Sequence, residues 1–120
     1  MDIFCKIMRG EIPANTVYED EVVKVILDVN PRSMGHCLII PKDHYQDLYD
    51  IDCEVLHHIL MVAKKISVLL TEKLHCDGIT LEENNGISQE VKHFHLHVIP
   101  VYKDQDNEKN LEDVLKEILG

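Results

Sequence analysis

His93, His95 and His97 alternate with Phe94, Leu96 and Val98 and run on into Ile99 and Pro100. Alternation with a period of two is the mark of a β-strand, whose successive side chains point to opposite faces. The three imidazoles then share one face, and the three apolar side chains share the face that looks into a core. Three imidazoles in a row support three readings. They can ligate a metal through neutral ring nitrogens. They can handle a phosphate, one attacking phosphorus while the others orient or donate. Or they can be a solvated polar face, the weakest reading, because polar residues seldom line up over a buried face without a task. Pro100 has no N–H to give, so central pairing ends there or the strand sits near an edge.

These residues must be held by other elements. Asp2 stands where an N-cap belongs and Gly10 where a helix stops, which predicts a short helix over 2–10 with Ile3, Phe4 and Ile7 on its apolar side. Residues 16–19 and 22–28 read as two strands about an Asp-Glu turn. Val23, Val25 and Leu27 share one face; Val22, Lys24, Ile26 and Asp28 share the other. Residues 36–40 form a third strand stopped by Pro41, and 79–83 a fourth, opened by Gly78 and leading into the turn Asn84-Asn85-Gly86. Between them, residues 54 to about 74 carry apolar residues at helical spacing. Val55, Leu56, Ile59, Leu60, Val62, Ala63, Ile66, Leu69 and Leu70 form the face that packs on a sheet. Met61 and Val68 interrupt the opposite, polar face. His57 and His58 belong to that surface. A polar stretch, 103–109, precedes a terminal helix, 111–119, capped by Asn110. The result is an α+β fold: a five-stranded, mainly antiparallel sheet with one long helix on one face.

A chain of 120 residues suits one domain, 1–120, with its core over about 1–102. Its 12 basic and 22 acidic residues leave a formal net charge of −10, which argues against a general nucleic-acid binder. A small phosphate ligand is still open to it, since imidazoles and backbone N–H groups suffice to bind one. No apolar run is long enough for a membrane span, and no basic-then-apolar leader opens the chain. The four cysteines form no Cys-x-x-Cys pair and read as free thiols of a reducing compartment, the cytoplasm.

The histidine pattern resembles the motif of the histidine triad (HIT) family. The resemblance extends over Ile3-Phe4-Cys5-Lys6-Ile7, Gly10-Glu11-Ile12-Pro13, Tyr18-Glu19-Asp20-Glu21, Leu27-Asp28-Val29-Asn30-Pro31, Gly35-His36-Cys37-Leu38-Ile39-Ile40-Pro41-Lys42 and Asn84-Asn85-Gly86, in order, covering residues 3 to about 102. It is closest to the small nucleoside-phosphoramidase branch. The resemblance implies a purine-nucleotide ligand and a homodimer in which two sheets join into one of ten strands. It makes His95 the nucleophile, His97 a donor to a phosphate oxygen, and His93 a support from the edge of the site. It assigns Ile3 and Phe4 to the base pocket and Asp28 to the ribose hydroxyls. Asn84, Gln89 and His36 complete the nucleotide contacts. Without it, Asp28 is a turn residue. Chemically, a neutral imidazole held in one tautomer attacks the α-phosphorus, and water later releases the nucleotide.

Two departures stand out. The loop before the triad is about two residues shorter than is usual in the family, and Glu90 replaces a hydroxyl residue that helps protonate the leaving amine. A carboxylate repels a phosphate unless protonated. Some family members also hold a structural zinc with two cysteines, a histidine at the position of His44 and the first triad histidine. This chain has Cys5, His44 and His93, but Asp2 in place of the other cysteine, and the expectation is no metal and no cofactor. The alternatives are a dinucleoside polyphosphate hydrolase on the same fold, a non-catalytic nucleotide-binding module, and a metalloenzyme built on the triad.

Overall fold

A computed structural model describes residues 2–104 and 109–120. Helix α1 spans Ile3–Met8, capped by Asp2, whose side chain accepts from the Cys5 N–H. Strands β1 (Thr16–Glu19), β2 (Val23–Leu27) and β3 (Cys37–Pro41) follow. Helix α2 is Cys53–Leu74, capped by Asp52, and ends at His75 in the left-handed conformation. Strand β4 (Gly78–Glu82), a single 3-10 turn at Gly86–Ser88, strand β5 (Leu96–Val101) and helix α3 (Leu111–Leu119) complete the order. The strands form one sheet, β1-β2-β3-β5-β4, antiparallel at every pairing.

The period-2 pattern divides the sheet as expected. Val23, Val25, Leu27, Cys37, Ile39, Leu96 and Val98 face Ile59, Val62, Ala63, Ile66 and Leu70 of α2 in the main core. Ile26, Leu38 and Ile40 face the other way and are covered by Phe4 and Ile7 of α1. On that second face the registers Ile26↔Leu38, Leu38↔His97 and His97↔Glu82 set one row of side chains across four strands. That row becomes the floor of the site.

Three details differ from the sequence reading. Strand β5 begins at Leu96, so His93 and His95 precede it. Pairing with β3 starts at Ile39↔Leu96. The Phe94 N–H instead donates to the Tyr45 carbonyl at 2.7 Å, taking the chain off the ladder. The facing pattern survives, since Phe94 still enters the main core. Leu60, placed on the packing face, is half exposed, because it lies about a quarter turn from the line through Ile59, Ala63 and Ile66. Val114 and Ile118 of α3 are buried in the main core, so the packed unit extends past residue 102. Of the polar stretch 103–109, residues 105–108 lie outside the described residues. Pro100 is accommodated as one of the two expected alternatives: β3 pairs with β5 only as far as Val98, while β4 pairs through Val101.

Candidate active site

The loop between β2 and β3 delivers one wall. Asp28 follows β2 directly, and its N–H donates to the His36 carbonyl at 2.9 Å, closing the loop at its base. Its Oδ1 accepts from the Asn30 N–H at 2.8 Å, which turns the chain sharply. Gly35 has φ +90°, and a Cβ there would stand 2.4 Å from the Leu74 side chain, so glycine lets the loop close on the end of α2 and present His36. Helix α1 supplies the opposite wall. Phe4 packs edge-on against His95, ring centres 5.0 Å apart, and against His93 at 5.8 Å.

The hydrogen-bond partners fix a tautomer for each imidazole. His95 Nδ1 lies 2.8 Å from the His93 carbonyl, which only accepts, so Nδ1 carries the proton and Nε2 keeps its lone pair. His93 Nε2 lies 2.9 Å from the Pro41 carbonyl, so its proton is on Nε2 and its lone pair on Nδ1. The Arg32 backbone N–H donates to His36 Nδ1 at 3.1 Å. His36 therefore donates from Nε2 to His97 Nδ1, 2.9 Å away, leaving His97 with its proton on Nε2. The site thus holds one ring nitrogen with a free lone pair, His95 Nε2, beside one poised to donate, His97 Nε2. The rings of His95 and His97 are centred 5.0 Å apart.

Both rings lie against a cavity of about 650 Å³, a volume suited to a nucleotide-sized ligand. One end is apolar, formed by Ile3, Phe4, Ile7, Ile12, Ile26 and Leu38. The other is polar, formed by Asp28, His36, His97, Asn84, Glu82 and Glu90. Burial, with the charges of His95, His36 and Arg32, pushes the His97 pKa down to about 4, and burial also lowers that of His36. Both are neutral at pH 7, as the relay of hydrogen bonds requires. This gives a pH prediction. Between about pH 6.5 and 4 the unfolded chain protonates His97 and the folded chain does not. The contribution is complete above pH 6.5 and is lost as pH falls through that window. Urea unfolding at stepped pH should show stability falling from 6.5 to 4, with a shallower fall in His97→Asn. Equal slopes in both proteins would refute it.

Of the residues expected at the site, His95, His97, His36, Ile3, Phe4, Asp28 and Asn84 line the cavity. Gln89 does not, a correction to its expected place among the nucleotide contacts. It is buried, its Nε2 donates to the Gln46 carbonyl at 2.5 Å, and its Oε1 has no partner. The shortened loop makes a 3-10 turn at Gly86–Ser88 and directs Gln89 inward, so that Ser88 and Glu90 line the cavity instead. His93 is fully buried away from the cavity lining. The sequence reading missed Val29, Arg32 and Glu82. Arg32 makes a two-pronged ion pair with Glu82, which holds that carboxyl down at about 2. The two residues are 50 apart in sequence, and only the Glu82↔His97 register, read with the β2–β3 loop, brings them together.

Asp2, Cys5, His44 and His93 converge at the far end of α1. Cys5 Sγ lies 3.6 Å from His44 Nδ1 and 3.5 Å from both His93 Nδ1 and Asp2 Oδ2. The two Nδ1 atoms are 3.2 Å apart, and Asp2 Oδ2 is 3.1 Å from that of His44 and 3.3 Å from that of His93. A tetrahedral Zn²⁺ with bonds of ~2.0–2.1 Å to nitrogen or oxygen and ~2.3 Å to sulfur has ligand-to-ligand edges of roughly 3.3–3.6 Å. All six separations fall at or near that range. The lone pair of His93 Nδ1 points at the cluster because its other nitrogen is held by Pro41. The donor set fits zinc. By contrast, Asp28, His36 and His97 also lie close together, but their nitrogens are joined at hydrogen-bond length and already have defined donor and acceptor roles.

The fold and these side chains together define a class: an α+β protein whose paired imidazoles, one with a free ring nitrogen lone pair and one with a free N–H, face a half-apolar cavity. The chain belongs to the HIT domain family, whose pattern matches residues 9–104. It is 48% identical to an uncharacterised HIT-like protein of Methanocaldococcus jannaschii, over the whole of both chains. It is 40% identical to an adenosine 5'-monophosphoramidase of Saccharomyces cerevisiae, over 82% of this chain and 61% of that protein. The fold is similar to that of a zinc-bound histidine triad family protein from Mycobacterium smegmatis, with a TM-score of 0.90, 35% identity, and 97% and 88% of the two chains covered.

Proposed function

We propose that this protein is a nucleotide-binding hydrolase that cleaves purine nucleoside 5'-phosphoramidates at the α-phosphate through a nucleotidyl-His95 intermediate. The observation that carries this reading is the fixed tautomer pair: His95 Nε2 with its lone pair free and His97 Nε2 with its proton free, on one cavity wall. The base fits the apolar end, and the ribose hydroxyls reach Asp28. His95 Nε2 forms a bond to phosphorus, the P–N bond breaks, and the amine leaves with a proton drawn from solvent water. Water then attacks the same phosphorus, gives a proton back to solvent, returns the electron pair to His95 Nε2, and releases the nucleoside monophosphate. His97 Nε2–H stabilises the charge on a phosphate oxygen in both steps. The yeast relative's activity supports this reaction class.

The test is turnover of adenosine 5'-phosphoramidate beside diadenosine polyphosphate, with acid quench to trap labelled protein. Trapped nucleotide on His95 supports the reading; binding without turnover makes the protein a non-catalytic nucleotide-binding module. The ribose assignment has its own check. Hydrogen bonds to a charged acceptor are worth about 1.5–3 kcal/mol. Asp28→Ala should therefore weaken ribonucleotides about tenfold or more and 2'-deoxy analogues much less. Equal losses would move the ribose elsewhere.

The reading includes a zinc held by Asp2, Cys5, His44 and His93, a structural ion that ties α1 to the segment before β5. It also includes a homodimer. Strand β4 is an edge strand of the sheet, and α2 leaves Leu60, Met61 and Val68 about half exposed. Pairing β4 with its copy gives a ten-stranded sheet. Light scattering at micromolar concentration should report twice 13.9 kDa; a monomer there would remove the dimer from the reading. Four free thiols suit the cytoplasm, and no helix among the described residues is long and apolar enough to cross a membrane.

A further inference from the structure

The cavity has more lining than a nucleoside monophosphate uses. With the base at the apolar end, the ribose at Asp28 and the phosphate between His95 and His97, the substituent on phosphorus meets what remains. That remainder is Ser88, Asn84, the Arg32–Glu82 pair and Glu90. Its charge can be assigned group by group. The two guanidinium nitrogens of Arg32 are committed to the two carboxylate oxygens of Glu82, so that pair is neutral as a unit. Asn84 donates to the same carboxylate at 3.2 Å. Lys92, the cation nearest to Glu90 in sequence, is directed to the Gly86 carbonyl at 2.8 Å. Among the described residues Glu90 enters no ion pair; it is an exposed residue of the cavity lining, near enough to Arg32 for the two charges to attract. Arg32, Glu82 and Glu90 together therefore leave the leaving-group side of the cavity with a net charge of one negative.

On these grounds we infer that the site selects nucleotide conjugates whose leaving amine bears a second, cationic group, with Glu90 as the residue that sets this preference. The inference rests on the phosphoramidase reading. An ammonium a few carbon atoms from the scissile nitrogen gains an ion pair with Glu90. A neutral amine gains nothing, and a carboxylate, sulfate or polyphosphate leaving group is repelled. Chemistry at phosphorus is unchanged: the P–N bond breaks, the amine leaves protonated, and the distal charge is only bound.

The test uses three adenosine 5'-phosphoramidates of similar size, made from 1,3-diaminopropane, n-butylamine and β-alanine. An exposed ion pair is worth at most about 1 kcal/mol, so kcat/KM should fall about fivefold from the cationic to the neutral conjugate. A similar further drop is expected for the anionic one. Added salt should compress the series. Glu90→Gln should bring the three ratios towards one, and Glu90→Lys should invert their order. Glu72→Gln, the same charge change on the exposed face of α2, separates the local effect from the −10 of the whole chain by leaving the ratios in place. Turnover of the butylamine conjugate with no charge dependence, or with a dependence that persists in Glu90→Gln, overturns the inference and leaves the phosphoramidase reading standing. If none of the three is turned over, that reading fails, and competition of the same compounds against a fluorescent AMP analogue decides. The order cation, neutral, anion, lost in Glu90→Gln, supports charge selection at a binding site; any other order, or no binding, overturns it.

Discussion

Turnover of a nucleoside phosphoramidate by His95→Asn should fall by about three orders of magnitude or more, the size of loss expected when a covalent route is removed. The replacement keeps a polar side chain but takes away the ring nitrogen aimed at phosphorus. The nucleophilic role proposed for His95 rests on its single hydrogen bond. Its Nδ1–H is held by the His93 carbonyl at 2.8 Å, so in the neutral ring the lone pair falls on Nε2 and its direction is fixed. Phe4 packs edge-on against the ring and limits its rotation. His97 cannot take over, because its Nδ1 lone pair is used by His36 and its remaining nitrogen carries a proton. Binding of AMP should survive in the variant, since Asp28, Asn84, His36 and His97 are untouched. Lost turnover with retained binding supports the covalent route. Loss of both gives His95 a role in holding ligand, and unchanged turnover removes the triad from the chemistry.

Much of this was legible in the chain because it depends on local pattern. Asp2 and Asn110 as helix caps, the split of Val23, Val25 and Leu27 from Ile26, and the shared face of His95 and His97 follow from periods of 3.6 and 2. The tautomers were not legible. They depend on which carbonyl each ring meets: Pro41 for His93, which is 52 positions away in the chain, and His93 itself for His95. Strand ends were not legible either. The ladder stops at Leu96, two residues before β3 runs out at Pro41, because the Phe94 N–H goes to the Tyr45 carbonyl, on a different segment. Gln89 shows the limit of spacing as a guide. It keeps its distance in sequence from the triad, yet the shortened loop turns it to the Gln46 carbonyl and leaves the cavity to Glu90. The weak metal pattern, three ligands and a substitute, became strong only when six separations were in hand.

That cluster carries the second large effect. Purified protein should contain about one zinc per chain, and strong chelation should lower its stability by about 4 kcal/mol when free zinc had stood near a thousand times its Kd. Three of the ligands sit on separate segments: Cys5 on α1, His44 after β3, and His93 before β5. An ion among them would join the α1 wall of the cavity to the backbone carbonyl that orients His95. Without metal, burial and the neighbouring Asp2 carboxylate raise the Cys5 pKa, so the thiol stays protonated near pH 7 and binding zinc releases that proton. Asp2 divides its labour. Oδ1 caps α1 at the Cys5 N–H, 2.8 Å away, while Oδ2 points into the cluster. Asp2→Asn keeps a good cap but removes the anionic ligand, so it should lose zinc while α1 remains. Cys5→Ala should lose zinc outright. Both variants should bind AMP more weakly, because Ile3 and Phe4 flank the released residues. Full stability after chelation, or a protein isolated without zinc and unchanged by adding it, would reduce the cluster to a set of hydrogen bonds. Zinc retained in Asp2→Asn would show that water or the amide oxygen serves as well as the carboxylate at the fourth position.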